Sequence, residues 1–190
     1  MKRKLLIVSV VAICIAILAA GSLAYFTAEG TAHNVITTGG VEIELKEWAD
    51  AEREKPFENM TGVMPGTKVT KIVEVKNTGA SDAWVRVKVA KNIELGQKIE
   101  IPGLDNPQEE LVVLDINTQD WELDTDGFYR YKSVLKPGET TTPILRSVEF
   151  KPAMGNEYQN AKISVDISAQ AVQTANNGET VMEAAGWPKP

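Results

Sequence analysis

The chain has 190 residues, which is enough for one well-packed domain preceded by a targeting segment and too few to suppose two independent cores. It carries 20 basic and 26 acidic side chains, a formal charge of −6, and this sign disfavours binding to nucleic acid or to an anionic membrane surface.

The first predicted element is a secretory signal peptide. The basic residues 2–4 precede the uncharged, almost wholly aliphatic run 5–20, and a basic segment followed by an apolar one is the layout of such a signal. The small residues Ser22 and Ala24 occupy the −3 and −1 positions that a signal peptidase requires. The sequence therefore predicts cleavage before Tyr25.

Cleavage at this position would change the composition of the exported chain. Cys14 would leave with the signal, so the mature chain would have no cysteine and no disulfide and would depend on core burial for its stability. It would keep 17 basic and 26 acidic side chains, a formal charge of −9. The alternative is a retained anchor, because the apolar segment extended through Phe26 reaches the about 20 residues that span a bilayer.

After this junction the hydrophobic pattern predicts β-strands. Val41, Ile43 and Leu45 alternate with two glutamates, which is the period of a half-buried strand. Similar patterns predict further strands at residues 69–75, 84–89, 111–116, 121–123, 128–134, 144–150 and 162–172. Residues 92–110, rich in Pro, Gly, Asn and charge, predict a long loop.

Turn-forming sequences separate these strands. The cluster at residues 77–82 predicts that strands 69–75 and 84–89 are antiparallel neighbours. Thr125-Asp126-Gly127 predicts a hairpin, and Pro65-Gly66 and Pro137-Gly138 predict type II turns. Seven or eight short strands joined in this way predict an all-β fold with the architecture of a two-sheet β-sandwich.

The sequence contains few residues suited to catalysis. His33 is the one histidine, whereas a His-Glu-x-x-His zinc site needs two, so we expect His33 to be a surface or strand-edge residue. Asp124-Thr125-Asp126-Gly127 begins like a calcium-binding loop, although the later ligands of that motif are absent. Asp120, Asp124 and Asp126 are therefore candidate ligands of a structural Ca²⁺, and a hairpin tip with solvated carboxylates is the competing interpretation.

Three stretches resemble the TasA/CalY (camelysin) family, exported proteins of Gram-positive bacteria that the dedicated signal peptidase SipW processes. The most specific is the junction GSLAYFTAEGTAHNVITTGGVEIEL, residues 21–45, where an alanine precedes an aromatic pair, a Thr-rich segment, glycines and an alternating strand. MPGTKVTKIVEVKNTGASDAWVRVKV, residues 64–89, is similar to the core hairpin of the family, and AQAVQTANN, residues 169–177, to its closing strand.

The resemblance implies a jelly-roll-like sandwich that is secreted and assembles with copies of itself into fibres of a biofilm matrix. In such fibres the N-terminal segment of one subunit lies as a strand in the sheet of the next, which is a form of β-augmentation. Here that donor arm would be residues 25–38, with Gly39-Gly40 as its hinge. Its apolar anchors would be Tyr25, Phe26, Val35 and Ile36.

We therefore expect a signal peptide at 1–24, an arm at 25–40, a β-sandwich domain at 41–177 and a tail at 178–190. The expected function is that of a secreted structural subunit of an extracellular matrix or surface fibre, without nucleic acid partners and with membrane contact only through the signal. Because camelysin is described as a surface metalloendopeptidase, the resemblance also implies that activity as an alternative, although no zinc motif is present. A monomeric adhesion module held by an uncleaved anchor is a third possibility.

Overall fold

The computed structural model describes residues 26–37, 40–96, 109–155 and 158–188, with the backbone alone described for the first of these ranges. Within them the chain forms ten strands, and a short 3₁₀ helix, Glu109–Leu111, precedes the sixth. The strands are β1 Phe26–Thr37, β2 Ile43–Trp48, β3 Met60–Val63, β4 Lys68–Asn77, β5 Ala83–Glu94, β6 Val112–Ile116, β7 Trp121–Leu123, β8 Tyr129–Tyr131, β9 Leu145–Phe150 and β10 Lys162–Gln173.

The strands form two sheets that enclose one main hydrophobic core. One sheet has six strands in the order β3-β1-β10-β5-β8-β7, and the other has four in the order β2-β4-β9-β6. Neighbouring strands are antiparallel throughout the described sheets except for β1 and β10, which are parallel. The predicted all-β, two-sheet sandwich is confirmed.

The alternating pattern of the sequence places apolar side chains between the sheets. In β2 and the residue pair before it, Val41, Ile43 and Leu45 are buried while Glu42 and Glu44 are exposed. Removal of apolar surface from water contributes roughly 25 cal/mol per Å², so faces of this kind supply most of the driving force for packing the two sheets. The inward residues of β10 are Ile163, Val165, Ile167, Ala169 and Ala171.

The predicted pairing of strands 69–75 and 84–89 is wrong, because β4 lies in the four-stranded sheet and β5 in the six-stranded sheet. The turn-forming residues between them carry the chain from one sheet to the other. The backbone N–H groups of Thr78 and Gly79 both donate to the carbonyl of Glu42, at 2.9 and 3.0 Å. The Asn77 side chain donates to the carbonyl of Leu135 at 2.9 Å. These bonds tie the segment to other loops at the edge of the core rather than closing a hairpin.

Other predicted turns are confirmed. Gly66 and Gly138 each have a φ of +80°, and Gly127, with a φ of +79°, lies in the hairpin that joins β7 and β8. Strand β3 was not predicted, and β5 continues to Glu94, so it enters the segment expected to be a loop. Residues 97–108 of that segment lie outside the described residues.

Residues 178–188, expected to be a tail, pack against the outer face of the six-stranded sheet and are called the C-terminal strap below. Val181 and Ala184 are buried there with Trp84 and Val172, and together they form a second apolar cluster. The strap contains turns rather than a helix. It therefore covers a sheet face that would otherwise be open to solvent.

In the part of the chain that the structure describes, no helix is long and apolar enough to cross a membrane. The predicted signal peptide, residues 1–24, lies outside that part, and so does the cleavage site with Ser22, Ala24 and Tyr25.

Candidate assembly site

Strand β1 lies in a slot between β10 and β3. It pairs in parallel with β10 at nine positions, from Thr27 opposite Lys162 to Thr37 opposite Ala171, with a register shift between Thr31 and Asn34. Its other edge pairs in antiparallel fashion with β3 at two positions. The strand thus provides hydrogen-bond partners for backbone groups on one edge of β10 and on one edge of β3.

The slot needs a strand, because β10 has one other partner among the described strands. Its opposite edge pairs with β5 over twelve positions, from Lys162 opposite Glu94 to Gln173 opposite Ala83. Without β1, the free edge of β10 would present a long row of unpaired N–H and C=O groups, which is a template for another strand. This edge of β10 therefore depends on the strand that fills the slot.

Residues 26–37 of the predicted donor arm form the strand in this slot, within the sheet of their own chain. Of the predicted anchors, Phe26 lies opposite Val63 of β3, Val35 opposite the fully buried Ala169, and Ile36 opposite Gln170. Tyr25 lies outside the described residues. The arm is therefore a strand of the six-stranded sheet in a single chain.

The predicted hinge joins β1 in one sheet to β2 in the other. Gly40 has a φ of +71°, a value that side chains other than glycine seldom adopt, and it is exposed with open space where a Cβ would stand. Gly39 lies outside the described residues. The backbone at Gly40 thus has a conformation that favours glycine.

Two of the candidate calcium ligands, Asp124 and Asp126, accept hydrogen bonds from arginine side chains. Asp124 Oδ2 accepts a hydrogen bond from Arg130 Nε at 2.7 Å, and Asp126 Oδ2 accepts one from Arg86 Nη1 at 2.8 Å. A hydrogen bond from the Thr125 N–H, together with Arg130, lowers the pKa of Asp124. Within the described residues, no three carboxylate, imidazole or thiol groups converge on a position that could hold a metal ion.

Asp120 has different partners from the other two aspartates. Its carboxylate accepts a hydrogen bond from Asn117 Nδ2 at 2.9 Å. Hydrogen bonds from Asn117 and Thr142 lower the pKa of Asp120. His33 lies in β1, between Thr31 and Asn34, where the pairing of β1 with β10 shifts register.

Sequence reasoning missed a cluster of arginines and aromatics under the C-terminal strap. The guanidinium of Arg86 lies 4.0 Å from the ring centre of Phe128 and 4.6 Å from that of Trp187, and Arg86 Nε donates to Gln170 Oε1 at 2.9 Å. Burial is the main reason that the pKa of Arg86 is lowered. The alternation of β5 indicates that Arg86 is on the outward face, but it contains no sign of the strap that covers it.

Comparison of the chain with protein-family models, with curated proteins and with solved structures found no match. The slot holding β1 is therefore the feature from which a function can be argued. Three of the predicted arm anchors, Phe26, Val35 and Ile36, lie in the strand that fills this slot. The three predicted metal ligands, Asp120, Asp124 and Asp126, are hydrogen-bonded to other side chains.

Proposed function

We propose that this chain is a secreted structural subunit of an extracellular biofilm matrix or surface fibre, and that copies assemble by exchange of the N-terminal arm. The observation that carries the proposal is the position of β1. It is the first strand of the described chain, it pairs with the last strand along nine positions, and only residues 38–42 connect it to β2. When a strand with this connectivity leaves the sheet, the order β10-β5-β8-β7 is unchanged, and β3 loses its described partner.

Exchange would replace each contact by the same contact in another copy. Because β1 would bind the slot of a neighbour through the same register, the free energy of the pairing itself changes little. Concentration and the conformation of the connecting segment then decide between the self-inserted and the exchanged form. An arm that passes from each copy to the next is a heterologous contact, and repeated contacts of this type form an open filament when the rotation between copies does not close a ring.

Mixed disulfides test this proposal directly. Asp166 of β10 lies opposite Thr31 of β1 on one side and opposite Ala90 of β5 on the other. In the chain from residue 25 onward, which has no native cysteine, we would mix a Thr31→Cys variant with an Asp166→Cys variant under oxidising conditions. Exchange predicts disulfide-linked dimers that contain one copy of each variant. Their amount should rise as fibres appear in electron micrographs.

The matched control is a mixture of Ala90→Cys with Asp166→Cys, because β5 and β10 remain together in both forms. It should give no mixed dimers above the level of random collision. Fibres without a mixed disulfide between positions 31 and 166, or equal yields of mixed dimers in both mixtures, would contradict arm exchange.

Deletion of residues 25–38 separates the proposed function from its alternatives. The shortened chain should no longer form fibres, whereas fibres of unchanged yield would exclude the arm as the donor.

Mass spectrometry of the exported chain tests the anchored adhesion module, because a chain that begins at Tyr25 has lost the apolar run. Chelator-sensitive proteolysis by the purified protein would favour the metalloendopeptidase.

A further inference from the structure

The connection between β2 and β4 is much longer than their pairing requires. These strands are antiparallel neighbours, from Ile43 opposite Asn77 to Trp48 opposite Ile72, and such neighbours are commonly joined by loops of about two to five residues. The chain instead takes residues 49–67, leaves the four-stranded sheet, and forms β3 in the other sheet. Among the described strands, β3 pairs with β1 alone.

Both ends of this connection are bound to the body of the sandwich. Before β3, the Phe57 N–H donates to the Glu47 carbonyl at 3.0 Å, and the Phe57 ring centre lies 3.8 Å from Lys71 Nζ. After β3, the Gly66 N–H donates to the Phe150 carbonyl at 2.7 Å. The two ends of the connection are therefore attached to the sandwich through contacts that do not involve β3.

The middle of the connection, residues 58–65, is mostly exposed, and it is called the clasp below. Its strand β3 meets β1 at two positions with a register shift between them, and Gly62 has a φ of +72°. Val63 is 4% exposed, whereas Met60 is 39% exposed. Short, irregular strands with little buried apolar area open at a lower free-energy cost than the domain as a whole.

We propose that the clasp must open before β1 can leave or enter its slot, and that its opening sets the rate of arm exchange. β10 holds β1 at nine positions on one edge, and β3 pairs with the N-terminal end of β1, at Phe26 and Ala28, on the other, so that end of the strand cannot move sideways into the slot while β3 is in place. In the exchanged form the clasp closes over the arm of the neighbouring copy. This proposal rests on the proposed function, since it concerns the regulation of the same site.

The test uses Val63, the buried residue of β3. The rate of mixed-disulfide formation between the Thr31→Cys and Asp166→Cys variants is measured with and without Val63→Ala in both copies. The substitution removes two methyl groups that hold the clasp, and exchange should be on the order of tenfold faster. Val112→Ala is the matched control, since Val112 is 1% exposed and lies in β6 of the other sheet.

The outcomes are distinct. Faster exchange in Val63→Ala with an unchanged rate in Val112→Ala supports the clasp. Equal rates in the parent, Val63→Ala and Val112→Ala overturn the clasp and leave arm exchange intact, whereas equal acceleration by both substitutions shows that only general destabilisation matters and also overturns it. Absence of mixed dimers in the parent and in every variant overturns arm exchange itself, and the clasp with it.

Hydrogen–deuterium exchange on the monomer provides a second measurement. Amides of β1 should lose protection in Val63→Ala before those of β5 and β10 do, and should keep it in Val112→Ala. Unchanged protection of β1 in Val63→Ala would contradict the clasp independently of any fibre.

Discussion

Lys71 Nζ lies 2.8 Å from Glu47 Oε2 inside the sandwich, with 1% and 7% of the two side chains exposed. The two residues are on the neighbouring strands β4 and β2, and the ring of Phe57 covers the ammonium group. Burial lowers the pKa of Lys71, and the charge of Glu47 opposes that shift. Neither ion is well solvated, so each depends on the other for its stability in the core.

Removing one partner of this pair should be more damaging than removing both. Lys71→Met leaves a buried carboxylate without its cation, and we expect a loss of about 3 kcal/mol in the free energy of unfolding, measured by urea titration at pH 7. In Lys71→Met/Glu47→Gln neither of these two positions carries a buried charge, and much of that loss should be recovered. A double variant as unstable as Lys71→Met would show that lost packing, rather than the unpaired charge, causes the effect.

Asp124 should contribute to acid sensitivity. Its pKa lies below the usual 3.8 in the folded chain, so its contribution is present above that value and is lost as the pH falls through the lower, folded value. In urea titrations from pH 5 to pH 2, unfolding free energy should therefore fall more steeply in the parent than in Asp124→Asn. Identical pH slopes for the two proteins would contradict this assignment.

The C-terminal strap should depend on Trp187. Trp187→Ala removes the ring that stacks on Arg86, and the loss of unfolding free energy should be about 2 kcal/mol. Limited carboxypeptidase digestion should then shorten the strap faster. Met182→Ala is the control, because Met182 is in the same segment and is 41% exposed, and a comparable loss in that variant would contradict a specific role for the tryptophan.

Two glycines should respond differently to alanine. A Cβ at Gly79 would lie 2.7 Å from the backbone nitrogen of Glu42, so the crossover between sheets must shift, whereas a Cβ at Gly138 meets open space. At Gly138 the penalty is the φ of +80°, about 1 kcal/mol. Thermal unfolding should rank Gly79→Ala well below Gly138→Ala in stability, and the reverse order would contradict a backbone contact at Gly79.

Elements whose burial depends on a single alternating face could be predicted from sequence. Val41, Ile43 and Leu45 marked the region of β2, and the long alternation from Ile163 to Ala171 marked β10. The sheet to which each strand belongs was not predictable locally, because the turn formers at 77–82 suit a sheet crossover as well as a hairpin. β3 had no alternation to mark it, since its one buried residue is Val63.

The sequence predicted which segment forms the candidate site, but not which strands that segment pairs with. The residues of β1 indicated a strand that needs a partner, whereas the identity of that partner depends on β10 and β3, which are far away in sequence. The burial of Arg86 and Lys71 has the same cause, since each is covered by elements that no local pattern connects to it.

The parallel alignment of β1 with β10 would also determine how an assembled filament carries tension. A pull along the filament would act on each arm through Gly40, along the axis of β1 and across the hydrogen bonds that join it to β10. Bonds loaded in this shearing direction share the force and must fail together rather than one at a time. Arm exchange in this register would therefore give a filament that resists stretching.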